Sequence, residues 1–315
     1  MATLIPDRCT FLQRCYLAVL CLLCWAGLLL PELIAAQTAP PVEEVKFHLQ
    51  DGYLILVQAR VNGFGPYPFL VDTGSSRTVI DPQLAQHVRG PVVGQAHLSM
   101  PSGQRRVNLV QLDEIRVGRA IVSDSGAMID SMKQVKLLIP GVRGILGEDF
   151  LSRFDLLIDF EQQTLSFGGT APTGERCRFF SGGSYKGSLT SNRILVETLL
   201  DEKENRIPLT LDTGAKITEI YSSEKKSLAV VSRGEASRGG GVTRRRMTLR
   251  IGSTTVKDHE VLQSWRDAAF DSSGLLPAVL FRRIYISHSG GYVVLNPENA
   301  AEPVSSESMP STIGQ

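Results

Sequence analysis

At 315 residues, 43% of them hydrophobic and 21% charged, the chain has material for about two globular domains with ample core and is too apolar to be read as disordered. Its 33 Lys and Arg balance 32 Asp and Glu, so no global field exists to attract nucleic acid or an anionic membrane. Cys9, Cys15, Cys21 and Cys24 all lie at the extreme N-terminus, which leaves Cys177 alone in the body and excludes both a disulfide framework and a cysteine metal cluster there.

In chain order, Arg8 and Arg14 precede an uncharged run of 16 residues from Cys15 to Leu30, then Pro31 and the small pair Ala35-Ala36. This is the layout of a secretory signal, and the run is short for a bilayer span of ~20 residues. Residues 1–36 are expected to be a signal peptide, with an uncleaved N-terminal anchor as the alternative; either way the body is exported, to a periplasmic or extracellular space. Residues 37–44 read as a polar linker. Val45 to Leu49, Tyr53 to Val61 and Tyr67 to Val71 are expected strands, punctuated by Asp51-Gly52 and Asn62-Gly63. The third strand ends on Asp72.

Thr78 to Ile80 begins another strand, and Pro82 to His87 reads as one helical turn. Ala96 to Met100 and Arg105 to Leu112 form a hairpin around Pro101-Ser102-Gly103-Gln104. Ile115 to Gly118 and Ala120 to Val122 make a further pair, followed by Gly144-Ile145-Leu146-Gly147, a short helix from Glu148, and strands at Leu156 to Phe160 and Thr164 to Phe167. Gly, Ser and Thr then mark a boundary, placed as a linker over 171–187. Residues 298–315 are polar and are expected to be a disordered tail.

The stretch Phe69-Leu70-Val71-Asp72-Thr73-Gly74-Ser75-Ser76 has an echo in Pro208-Leu209-Thr210-Leu211-Asp212-Thr213-Gly214-Ala215. Other landmarks keep the same order: 31 residues separate Asp72 from Gly103 and 29 separate Asp212 from Gly241, while 72 and 62 separate the two Asp from Gly144 and Gly274. Correlated signals of this kind indicate an internal repeat. Glycine permits the sharp turn after each Asp, and each Thr offers a hydroxyl to the opposing loop's backbone. If the loops meet, the two carboxyls cannot both ionise cheaply and share a proton. The ionised one can then take a proton from water while the other donates to a carbonyl under attack.

These motifs resemble the aspartic proteases, in particular the bacterial retropepsin-like type, over roughly Val45 to Pro297 in two copies. The resemblance implies an all-β fold of two tandem closed-barrel lobes, at 45–170 and 188–297, related by pseudo-twofold symmetry with the active-site cleft between them. It implies that Asp72 and Asp212 are catalytic and that Thr73 and Thr213 lock the loops, with Gly74, Ser75 and Gly214 in the loops and Gly144 and Gly147 packing beneath. Ser75 is implied to bond the outer oxygen of Asp72. The hairpin at Met100, Ser102 and Gly103 is implied to be a flap over substrate, with Gly241 its counterpart. The second copy departs from the pattern at Lys216, expected to face solvent, and at Pro277 in place of the glycine matching Gly147.

The expected activity is that of an aspartic endopeptidase acting on peptide or protein, without metal or organic cofactor, as a monomer. The alternatives are a homodimer pairing Asp72 of two copies, a catalytically weak peptide-binding module, and a structural or adhesion β-domain. Asp149, Asp155 and Asp159 read as turn and surface residues, His87, His97, His259 and His288 as ordinary histidines without metal-ligand spacing, and Cys177 as a small buried hydrophobe. Arg244-Arg245-Arg246, with Arg233, Arg238 and Arg250, reads as a solvated loop at the second flap, favouring acidic substrate side chains if that flap closes.

Overall fold

The turn dipeptides behave as their chemistry requires. Asp51 and Gly52 have φ of 52° and 76°, and Asn62 and Gly63 have 48° and 78°, the left-handed backbone that tight hairpins need. They link β2 (His48–Gln50), β3 (Leu54–Val61) and β4 (Phe64–Val71) into an antiparallel meander. In β3, Val57, Ala59 and Val61 are buried while Gln58 and Arg60 are exposed, the period-two pattern of a half-buried strand. The computed structural model describes residues 43–100, 103–182, 193–200, 205–222, 242–265 and 272–297. The predicted signal or anchor at 1–36, the tail at 298–315, Ser102 and Gly241 lie outside the described residues.

Four further strands complete the first half: β5 (Val79–Ile80), β7 (Gly103–Val117), β8 (Ala120–Ile129) and β9 (Gly144–Leu146). They close a six-stranded barrel in the order β3-β4-β9-β5-β8-β7, with β7 returning to β3. β6 (Val92–Met100) lies outside this circuit as the partner of β7, from Val92↔Val110 to Met100↔Gly103. β7 is longer than expected, because one unbroken strand serves both the β6 hairpin and the turn at Gly118-Arg119. The expected helical turn is a seven-residue helix, Pro82–Val88, whose first turn is capped by the Asp81 carboxylate accepting from the Leu84 amide at 2.7 Å.

The second half contains β13 (Arg193–Leu200), β14 (Asn205–Asp212), β15 (Thr218–Ser222), β16 (Thr243–Ile251), β17 (Thr254–Trp265) and β18 (Gly274–Pro277). They pair in the order β13-β14-β18-β15-β17-β16, with β16 returning to β13. Directions match as well. The pairs β4–β9 and β14–β18 are parallel, as are β5–β8 and β15–β17, whereas β5–β9 and β15–β18 are antiparallel.

A third layer draws on both halves, running β1 (Glu43–Lys46), β11 (Thr164–Phe167), β10 (Leu156–Asp159), β19 (Arg283–Ser287), β20 (Tyr292–Leu295) and β12 (Cys177–Gly182). The halves join where β10 meets β19, from Leu156↔Ile286 to Asp159↔Arg283. Two segments taken for linkers therefore contribute strands: Glu43 and Glu44 to β1, and Cys177–Gly182 to β12. Backbone pairing with β11, β13 and β20 overrides their polar and Gly-rich composition.

One buried apolar cluster unites residues of both halves, including Val57, Phe69 and Leu146 from the first and Leu211, Ile251 and Leu276 from the second. With Cys177 half-buried and unpaired, cohesion rests on this core. Arg244, Arg245 and Arg246 lie in β16 rather than in a loop, where Arg244 pairs with Glu260 at 2.7 Å and Arg246 with Asp258 at 2.9 Å. Both pairs are exposed and contribute little to stability. No helix among the described residues is long and apolar enough to cross a membrane.

Candidate active site

Each Asp-Thr-Gly sits where a strand of one circuit ends against a parallel neighbour. The Asp72 amide donates to the Leu146 carbonyl at 3.0 Å, continuing the β4–β9 ladder Phe69↔Gly144, Leu70↔Ile145, Val71↔Leu146. In the second half Thr210↔Leu275, Leu211↔Leu276 and Asp212↔Pro277 form the same ladder, so Pro277 closes the strand in place of a glycine without displacing it. Gly147 tolerates no side chain: a Cβ there would lie 2.5 Å from the Arg77 backbone.

The loops are cross-linked by their threonines. Thr73 Oγ1 donates to the Leu211 carbonyl at 2.8 Å and accepts from the Thr213 amide at 3.1 Å. Thr213 Oγ1 donates to the Val71 carbonyl at 2.7 Å and accepts from the Thr73 amide at 3.0 Å. All four bonds are buried, and each hydroxyl uses a donor and an acceptor. Close approach also explains the glycines. A Cβ on Gly74 would lie 2.5 Å from the Asp212 carboxyl, and one on Gly214 would lie 3.1 Å from that of Asp72. Their amides instead donate to the neighbouring carboxyls, Gly74 to Asp72 Oδ1 at 2.9 Å and Gly214 to Asp212 Oδ1 at 2.7 Å.

Within one chain the Asp72 and Asp212 carboxyls are brought together, each lying against the glycine of the other's loop, and each changes the other's affinity for a proton. Burial raises the Asp72 carboxyl, opposed by the Gly74 amide, the bond from Asp212, the Arg193 charge and the Ser75 amide. Asp212 is 7% exposed and is pushed up to about 8, by burial first and then by the charge of Asp72. One proton therefore stays with the pair, and the Asp72 charge, which raises Asp212, favours Asp212 as its holder. Such a pair can give and take a proton at neighbouring points.

Arg193 escaped the sequence reading. The β13–β14 ladder includes Leu195↔Thr210, so its continuation places Arg193 level with Asp212, as the β3–β4 ladder Leu56↔Leu70 places Leu54 level with Asp72. The two spans differ by one residue, 18 from Leu54 to Asp72 and 19 from Arg193 to Asp212, so only the strand register exposes this contrast of Arg with Leu. Arg193 favours the ionised form of both carboxyls, and its Nε is buried without a hydrogen-bond partner among the described residues. Lys216, by contrast, is exposed, its Nζ 5.6 Å from the centre of the Tyr53 ring. Arg193→Leu is expected to move the acid and alkaline limbs of the pH–rate profile upward. Limbs that stay in place in the kcat/KM profile would remove Arg193 from the site.

Several side chains differ from expectation. The Ser75 hydroxyl donates to the Arg77 carbonyl at 2.8 Å rather than to Asp72, because the turn after Gly74 faces it toward the backbone. Asp149 is no surface residue: Oδ1 accepts from the amide and hydroxyl of Thr78 at 2.8 and 2.7 Å, tying the Asp72 loop to the helix Glu148–Leu151. Asp159 is buried against Arg283 at 3.0 Å, and Asp155 accepts from Tyr285, Ser287 and Ser289 of the other half. In the second half Thr218, six residues after Asp212 as Thr78 is after Asp72, meets His259 Nε2 at 2.9 Å instead of an acid. His288 meets Glu148. Met100 and Gly103 face each other at the end of the β6–β7 hairpin. Among the described residues no group of His, Cys, Asp and Glu could hold a metal ion.

Residues 57–150 match the family model described as aspartyl protease. No curated protein matches the chain. The aspartyl protease match begins in β3, contains Asp72, Thr73 and Gly74, and ends just after Gly147 and Asp149. It thus covers both the loop and the strand that supports it, while Asp212 lies beyond it.

Proposed function

We propose that the protein is an aspartic endopeptidase in which Asp72 and Asp212 activate one water between them. The observation that carries this reading is the crossing of the two Asp-Thr-Gly loops, which sets each carboxyl against the other loop's glycine and ties the threonines together by four buried hydrogen bonds. Asp72 takes a proton from water as its oxygen attacks the peptide carbonyl carbon, and Asp212 gives its proton to the carbonyl oxygen. Asp72 then gives that proton to the amide nitrogen while a hydroxyl of the tetrahedral intermediate returns one to Asp212; the C–N bond breaks, releasing a carboxylic acid and an amine, and the dyad again holds one proton. No covalent enzyme intermediate forms. That both carboxyls belong to one chain favours a monomeric site over one built from Asp72 of two copies. Work outside the cytoplasm is proposed from the sequence of residues 1–36 alone.

Incubating the protein with a peptide library in ¹⁸O-water tests the reaction. Internal cleavage is expected, with one ¹⁸O in each new carboxylate and no hydroxamate when hydroxylamine is added. If no peptide is cut from acidic to neutral pH and no pepstatin-type inhibitor binds, the endopeptidase reading fails and that of a peptide-binding module on this fold gains.

A further inference from the structure

His288, just beyond β19, and Glu148, just beyond β9, meet between the two halves with side chains 8% and 0% exposed. Nδ1 lies 2.7 Å from the Phe154 carbonyl and Nε2 2.9 Å from Glu148 Oε2. A carbonyl only accepts, so Nδ1 carries hydrogen; with a carboxylate at Nε2, the ring fits as an imidazolium donating on both sides. Glu148 Oε1 is buried without a hydrogen-bond partner among the described residues, which leaves His288 to compensate the carboxylate. The charged groups facing the pair are Asp155 on the His288 side, and Asp72 and Asp149 on the Glu148 side. All are acids; Arg77 acts on Asp149 from beyond them, and His288 is the cation that meets Glu148. The Phe179 ring meets the imidazole edge to face, its centre 6.1 Å away.

Glu148 is attached to the Asp72 loop: its amide donates to the Ser75 carbonyl at 2.8 Å, and the Ser75 amide donates to the Asp72 carbonyl at 3.1 Å. We propose that His288 is a positioning residue for this loop, holding Glu148 from the opposite half as an imidazolium and releasing the loop when it loses its proton. The inference rests on the proposed peptidase activity only where catalysis is the readout.

Burial pulls the imidazole down, but the hydrogen bond and charge of Glu148, the Phe154 carbonyl and Asp155 together raise it above its ordinary value. Burial likewise raises Glu148, opposed by His288. A raised imidazole contributes stability in full below its unfolded value and loses it as pH rises through the folded one. The latch is therefore charged on both sides only between the titration of Glu148 and that of His288.

His288→Gln tests this in the whole chain, beside the neutral pair His288→Gln/Glu148→Gln. At pH 6 the single variant is expected to melt about 5–10 °C lower, as for a broken buried ion pair. The gap should narrow above the imidazole range, where the parent loses the same proton. The double variant should recover at least about half of the loss, because no uncompensated anion remains. Amide hydrogen exchange over residues 73–76 should quicken in the single variant, and kcat should fall about 10²-fold while KM moves less than ~3-fold. A melting gap constant from pH 5 to 9, or unchanged exchange at 73–76, would reduce His288 to packing and overturn the proposal. If the parent protein cleaves no peptide, the peptidase reading fails, and melting and exchange still decide the latch.

Discussion

Asp212→Asn is expected to lose peptide hydrolysis and to gain stability at neutral pH in the same molecule. Asn keeps a donor to Asp72 and the shape of the site but has no proton to pass to the substrate carbonyl, so kcat/KM should fall ~10³–10⁴-fold, near the upper end of the range for losing a general acid. Stability moves the other way. The folded Asp212 carboxyl holds its proton up to about 8, against an ordinary value of 3.8. Across that window the native state binds more protons than the unfolded one, so parental stability declines as pH rises, by at most ~1.4 kcal/mol per pH unit. Asn has nothing to ionise. Its gain should be absent near pH 4, grow through the window and level off above pH 8. Paired melting curves at a series of pH values read this directly, and a gain independent of pH would mean that Asp212 does not carry the proton. Asp72→Asn should also be inactive. Full activity in Asp212→Asn would instead require a site made by Asp72 from two copies.

Legibility in the sequence divides by distance along the chain. The Asp72 and Asp212 loops, their glycines and the strands beginning at Gly144 and Gly274 were readable, because each is a local pattern repeated at nearly the same spacing. The cross-bonds of Thr73 and Thr213 followed from what a hydroxyl beside such a turn can reach. Arg193, His288 and His259 were not readable. Their roles depend on strand register and on contacts between halves, and a lone Arg or His carries no local mark of what it will face. The Ser75 hydroxyl failed for a smaller reason: within a turn, a carbonyl two residues ahead competes with the nearby carboxylate. Composition misled at Cys177–Gly182, where backbone hydrogen bonds to two neighbouring strands outweigh weak β-propensity.

The second large effect is expected from the threonines. Thr73→Val keeps shape but removes a buried hydroxyl, leaving the Leu211 carbonyl and the Thr213 amide without partners. Thr213→Val orphans the Val71 carbonyl and the Thr73 amide. At ~1–3 kcal/mol for each unsatisfied buried group, either substitution should destabilise by about 2–5 kcal/mol in urea unfolding. The two sets of orphaned atoms do not overlap, so rigid loops would make the losses additive. The loops are held together chiefly by these bonds, however, and once one hydroxyl is gone they can part and let water reach the remaining amides and carbonyls. The double variant should therefore lose less than the sum of the singles, with a coupling of about 1 kcal/mol or more. Thr73→Ser, which keeps the hydroxyl, should retain most of the stability. Activity separates this from ordinary core damage: parting the loops separates the carboxyls, so the Val variants should lose kcat even where urea titration shows them folded, and the Asp212 proton should be released at lower pH as Asp72 moves away. Additive losses with kcat intact would mean that the threonines stabilise the fold without setting the distance between the two Asp.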